Sequence, residues 1–151
     1  MLNRLLGWLQ EGGQDFSRGR DELQMAVAAL LLEAAAVEGQ FDERERDVIR
    51  QLLTARFDLT ADEAQELVAA AQRRVDGSAQ LFGFTSTINT KLERERRVEV
   101  IEMLWEVAYA DGVLDPLEDS LLRRVGGLID VSDRERGEAR RRVLRRLGLE
   151  P

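Results

Sequence analysis

One arrangement of acids, set at the junction of two helical segments, occurs twice in this chain with the same spacing. The first copy is Glu33, Glu38-Gly39, Asp42 and Glu45; the second is Glu106, Asp111-Gly112, Asp115 and Glu118. Every position of the second copy is the first plus 73, with steps of five, four and three residues in both. A unit used twice confines the chain to a near-symmetric architecture and argues against an enzyme with one asymmetric active centre.

Around both copies the apolar residues recur at helical spacing. The first unit opens with a segment over 21–38 that is apolar from Ala26 to Val37 except for Glu33. Apolar residues cover most of its sides, which predicts a buried central helix. Gly39 is placed to end it as a C-cap. A second helix starts at Asp42 with Val48, Ile49, Leu52 and Leu53 as its inward stripe. Thr60 to Glu63 is a capping box that opens a third, with Ala64, Leu67, Val68, Ala71 and Val75 on one face. Residues 76–87 read as a linker from which Leu81, Phe82 and Phe84 dock on the core. A long helix over about 88–110, interrupted by one interior acid, Glu106, opens the second unit. Gly112 ends it, and Asp115-Pro116 starts the next helix, proline being suited to the first helical position. Ser132 to Glu135 is a second capping box, offset by 72 from the first. The fold expected is all-α, a compact bundle of about seven helices built from two pseudo-repeated three-helix units. The repeats span about 21–76 and 88–147 within a domain at 21–151, preceded by an amphipathic N-terminal segment at 1–20.

Composition removes whole classes of chemistry. The 151 residues include no Cys and no His. This excludes disulfides, thiolate nucleophiles, Cys/His zinc sites, His-ligated haem and Ser-His-Asp catalysis. No organic cofactor is implied. Any metal would be a hard divalent cation such as Ca²⁺, Mg²⁺ or Mn²⁺, held by oxygen ligands. The net charge of −7 argues against nucleic acid as a partner. No apolar run reaches the roughly 18 residues of a membrane span. Met1 to Gln10 is apolar but lacks a following small-residue cleavage site, so no secretory signal is read there.

The acids have a structural reading and a functional one. Asp42 and Asp115 are good N-caps, and Glu45 and Glu118 sit three residues later, where a capping-box carboxylate belongs. Capping leaves four acids unexplained. Glu38 and Asp111 lie at helix C-termini, where the dipole disfavours negative charge. Glu33 and Glu106 lie in apolar runs, where an unpartnered carboxylate is costly. A cation gathered by each turn would relieve that repulsion, and so would an arginine fork, for which Arg44 and Arg46 are available in the first copy. The spacing is not that of an EF-hand loop, and without His it cannot be a ferritin-like di-iron site. Nothing distinguishes an acid from a base among these carboxylates, so no enzymatic role is read.

The segments AAAVEGQFDERE and VAYADGVLDPLE, each followed by a helix and a capped third helix, resemble the TerB-like tellurite-resistance family. That all-helical group also includes the N-terminal domain of a membrane-anchored DnaJ-type co-chaperone. The resemblance runs over roughly 21–147. It implies a helical bundle whose acidic turns bind divalent cations, with Glu38, Asp42 and Glu45 matching the first motif and Asp111, Asp115 and Glu118 the second. It further implies a cytoplasmic stress-response role within larger complexes, often peripheral to the inner membrane. The first copy departs from the family pattern in carrying Glu38-Gly39 instead of Asp-Gly, a longer side chain at one ligand position.

Two further features bear on partners. The last helix carries Arg134, Arg136, Arg140, Arg141, Arg142, Arg145 and Arg146 in an acidic protein. This is either a solvated face that suits a helix C-terminus and pairs with acids of the same fold, or a contact for an acidic protein or an anionic membrane surface, centred on Arg140, Arg141, Arg142 and Arg145. At the other end, Leu2, Leu5, Leu6 and Leu9 with Trp8 form a short amphipathic stretch suited to packing on the bundle or on a partner. Two functions follow from the sequence. One is a non-enzymatic TerB-like module whose acidic turns bind a divalent cation. The alternative is a metal-independent helical module for protein–protein or membrane-surface contact.

Overall fold

A computed structural model of the chain describes residues 16–37, 42–77 and 81–149. Seven helices and no strand occur among these residues. They are α1 (Phe16–Ala36), α2 (Glu43–Phe57), α3 (Ala61–Asp76), α4 (Leu81–Lys91), α5 (Arg94–Ala108), α6 (Pro116–Leu128) and α7 (Asp133–Arg146). The stretch Leu2 to Leu9 with Trp8, and the turn residues Glu38 and Gly39, lie outside the described residues.

Two helices form the interior, one from each half of the chain. Every residue from Ala26 to Leu32 of α1 is buried. The alanines among them let neighbouring helices approach closely, and α1 packs most extensively on α3, α4 and α5. Residues Glu99 to Trp105 of α5 are likewise all buried. The other helices are amphipathic and bury one stripe each, such as Ile49, Leu53 and Phe57 on α2 or Leu121, Leu122 and Val125 on α6. Each large aliphatic side chain so enclosed contributes about 1.5–3 kcal/mol. No described helix is long and apolar enough to cross a membrane.

Helix termini in the two halves of the chain are built alike. Both expected capping boxes form, Thr60 with Glu63 and Ser132 with Glu135. The preceding helices α2 and α6 also end alike. Asp58 (φ 53°) and Asp130 (φ 60°) take the left-handed conformation, and the following N–H reaches back to Thr54 O (3.3 Å) and Gly126 O (2.8 Å). These are Schellman-type ends with aspartate where glycine is usual. Glu135 also accepts two bonds from the Arg94 guanidinium (3.0 and 2.8 Å), tying the start of α5 to the start of α7. The Ser132 backbone N–H, with these neighbours, holds the Glu135 carboxyl below its usual range.

Two expectations are corrected. Residues 81–87 are helical, although the sequence reads as a linker, and Phe82 is 61% exposed where docking was expected. Thr85 and Thr87 return their hydroxyls to the carbonyls of Phe82 and Gly83, keeping within the helix the bonds that threonine offers to turns. The long helix expected over 88–110 is two helices, broken at Leu92-Glu93. Neither Gly nor Pro marks the break, and Glu93 caps α5 without a side-chain bond. Burial of Leu92 at 3% exposure accompanies it, a tertiary demand that local sequence does not display.

Candidate functional site

The first acidic turn is built by a capping box. The Asp42 carboxylate accepts the Glu45 N–H (2.9 Å), and the Glu45 carboxylate accepts the Asp42 N–H (3.3 Å). Glu45 is buried as a result. Arg46, one half of the expected fork, pairs with Glu43 at 3.8 Å.

The second turn, Tyr109 to Asp115, is described in full and divides its acids among separate tasks. Asp111 accepts the Val113 N–H (3.0 Å), and Gly112 takes a φ of 86° that favours a residue without a Cβ. Asp115 caps α6 through the Leu117 N–H (2.7 Å). Glu118 is 1% exposed. Unlike Glu45, it forms no capping box with its aspartate. Glu106 bonds the Arg146 guanidinium. A hard cation such as Ca²⁺ needs about six to eight oxygens converging on one point. Among the described residues no group of three acids is gathered that way, so the second turn as arranged does not fit the cation that the resemblance implies.

Glu33 sits half-buried on α1, facing Arg124 of α6. Burial pushes its carboxyl above the ordinary range, and the Arg124 charge draws it partly back. Such a group favours the folded state fully below its unfolded pKa, and this contribution is lost as pH rises through the higher folded value. Glu33→Gln removes that pH dependence. The variant should therefore gain stability relative to the parent as pH rises from about 4 to about 7, read from urea midpoints across the series. A variant that gains nothing, or loses stability, relative to the parent as pH rises would mean that Arg124 governs the site.

Three arginines of α7, Arg140, Arg142 and Arg146, reach α5 or its C-cap Tyr109. Glu102, with 7% of its side chain exposed, accepts Arg142 (3.2 Å) and Arg146 (2.8 Å), and Arg146 also bonds Glu106. Burial disfavours the Arg146 charge, but the two carboxylates hold its pKa above the usual value. Arg140 donates to the Tyr109 hydroxyl (2.7 Å) and lies 5.7 Å from the Trp105 ring centre and 5.8 Å from that of Tyr109. The Trp105 indole donates to the Arg136 carbonyl (3.1 Å). Of the four arginines singled out for an anionic partner, Arg140 and Arg142 are thus engaged within the fold. All four belong to the exposed residues of α7.

Sequence reasoning passed over Glu102, taking Glu106 as the single interior acid. The signal was present: Glu102 and Glu106 are four residues apart on one helix, and Arg142 and Arg146 four apart on another. That shared step places each pair on one face of its helix. Also unforeseen were Val113 (68% exposed) and Leu117 (58%), beside which lie two shallow grooves. One, of about 290 Å³, is lined by Val48, Tyr109, Gly112, Leu147 and Leu149 among others. The other, of about 310 Å³, is lined by Val37, Leu117, Ser120, Leu121 and Arg124.

Searches of curated proteins and of solved structures return no match for the chain. A family model does match, over residues 24–141, from the first turns of α1 into α7, and its description is Tellurite resistance protein TerB. With a match that covers most of its length, the chain belongs to the TerB family.

Proposed function

We propose that this TerB-family chain is a non-enzymatic, cytoplasmic module of a stress response that acts by contact with other proteins and needs no metal to do so. The observation that carries this reading is the division of the α5–α6 acids among a backbone turn, a helix cap and an arginine, while the apolar residues beside them stay exposed. The family description adds tellurite as the stress to test. Deleting the gene in its host should lower the tellurite concentration that stops growth, and the parent gene should restore it. Unchanged tolerance removes the stress assignment.

A second reading, cation binding at the acidic turns, is favoured by the repeated spacing of the acids. A thermal melt of chelator-stripped protein with millimolar Ca²⁺, Mg²⁺ or Mn²⁺ separates the two. On the metal-independent reading the melting temperature moves by less than about 1 °C, whereas a cation at about 100 times its Kd adds roughly 2.7 kcal/mol, a rise of at least about 5 °C. A rise of that size, abolished by Asp42→Asn or Asp115→Asn, would establish the cation site in place of our reading.

A further inference from the structure

We infer that a groove between α1 and α4 is the seat of this chain's own first residues, Met1 to Gln10, folded back beside α1. This seat is independent of the contact-module reading. The groove has a volume of about 470 Å³. Met25 and Ala26 of α1 and Phe84 of α4 give it an apolar lining, and Arg74, in the last turn of α3, closes one side.

Gly83, also in the lining, is where the groove calls for an occupant. It lies inside α4, where glycine is a poor helix former. Its φ is not one of the positive values found in this chain, and a Cβ there would meet no atom within 4 Å. Neither the backbone nor the packing of the described helices therefore requires glycine. The missing side chain leaves room for a second stretch of chain to lie close against the α4 backbone.

Position and length select that stretch. Leu2, Leu5, Leu6 and Leu9 recur at helical spacing, and Arg4, the single charged side chain among residues 1–10, falls on the side away from them. Gly12-Gly13 separates these residues from α1, and a glycine pair lets a chain reverse at little steric cost. As a helix, ten residues run about 15 Å, and α1 from Phe16 to Ala26 runs about 15 Å as well. Folded back, the segment therefore reaches the far end of the groove lining on α1. Its tether gives it an effective concentration in the millimolar range, which a separate partner would have to outcompete. A bilayer is the weaker competitor, because one short amphipathic segment holds it only marginally.

Trp105→Phe in the full chain leaves Trp8, three residues after Leu5, as the one emitter. Its emission should lie to the blue of that of the urea-unfolded chain, and acrylamide should quench it at least about threefold less readily. Gly83→Gln fills the groove with a better helix former. It should move emission and quenching at least halfway to the unfolded values, while the helical circular dichroism stays that of the parent. Met25→Gln, close to methionine in volume, should act in the same direction. Emission already at the unfolded position in the folded parent overturns the inference. Shielding of Trp8 that both groove variants leave in place also overturns it, since the segment then packs elsewhere. Shielding that grows with protein concentration would make the occupant a second copy of the chain. Shielding that appears only with phosphatidylglycerol vesicles would make a membrane the site of the segment, and either result overturns the seat.

Discussion

Trp105→Ala should cost about 3–5 kcal/mol of folding stability, the range for emptying a buried aromatic site. The indole is 1% exposed in the last turn of α5, and three separate ties to α7 end on it or beside it. Its N–H bonds the Arg136 carbonyl, its face lies near the Arg140 guanidinium, and Arg140 goes on to the Tyr109 hydroxyl. Alanine removes the packing volume and the donor together. For a chain of this length the loss corresponds to a melting temperature lower by about 10 °C. Trp105→Phe keeps most of the volume and loses the N–H, so its cost should be about 1–2 kcal/mol. Urea unfolding of both variants checks the pair. A loss below about 1 kcal/mol for the alanine variant would mean that α7 is not seated on α5 as described.

The second large effect is asymmetric. Arg142→Ala/Arg146→Ala leaves Glu102 buried without a counter-charge, and the expected cost is about 3 kcal/mol. Glu102→Ala breaks only the two pairs to Glu102, keeps Arg146 on Glu106, and leaves two arginine side chains that are each 43% exposed and can turn to water. Its cost should be about 1 kcal/mol. Adding Glu102→Leu to the double arginine variant should recover most of the lost stability, because the stranded charge goes and an apolar side chain fills its place. Chemical denaturation of the parent and the three variants measures these differences. If the double arginine variant and Glu102→Ala lose equal stability, burial of the carboxylate is not what the arginines answer.

Much of this fold could be read from residues whose effect is local. Thr60, Ser132, Asp42 and Asp115 announce helix starts through the bonds their own side chains make, and each bond is present. The unbroken apolar run of α1 marked it as interior for a similarly direct reason. What escaped depended on partners distant in sequence. The break at Leu92 follows from burial, not from a breaker residue. Residues 81–87 are rich in Thr and Gly and read as a linker, yet the packing of Phe84 and Ile88 against the core keeps them helical. The candidate site divides the same way. The acid pattern was legible, and its capping role holds for Asp42, Glu45 and Asp115. The engagement of Glu106 was not, because its partner Arg146 lies 40 residues on. Pairing of the arginine row with acids of the fold was legible, but not with which acids, because a helix written alone does not show which neighbour it lies against.

The seating of Trp105 gives the protein an optical gauge. The chain has two tryptophans, Trp8 and Trp105, so Trp8→Phe leaves a single emitter, placed where α5 meets α7. Buried at 1% exposure, this indole is shielded from water; the same indole in water emits further to the red. Release of α7, whether by salt, by a variant or by a partner, therefore changes the colour of one known residue without any added label. The tie that fastens the last helix to the core is also the place from which its unfastening can be watched in real time.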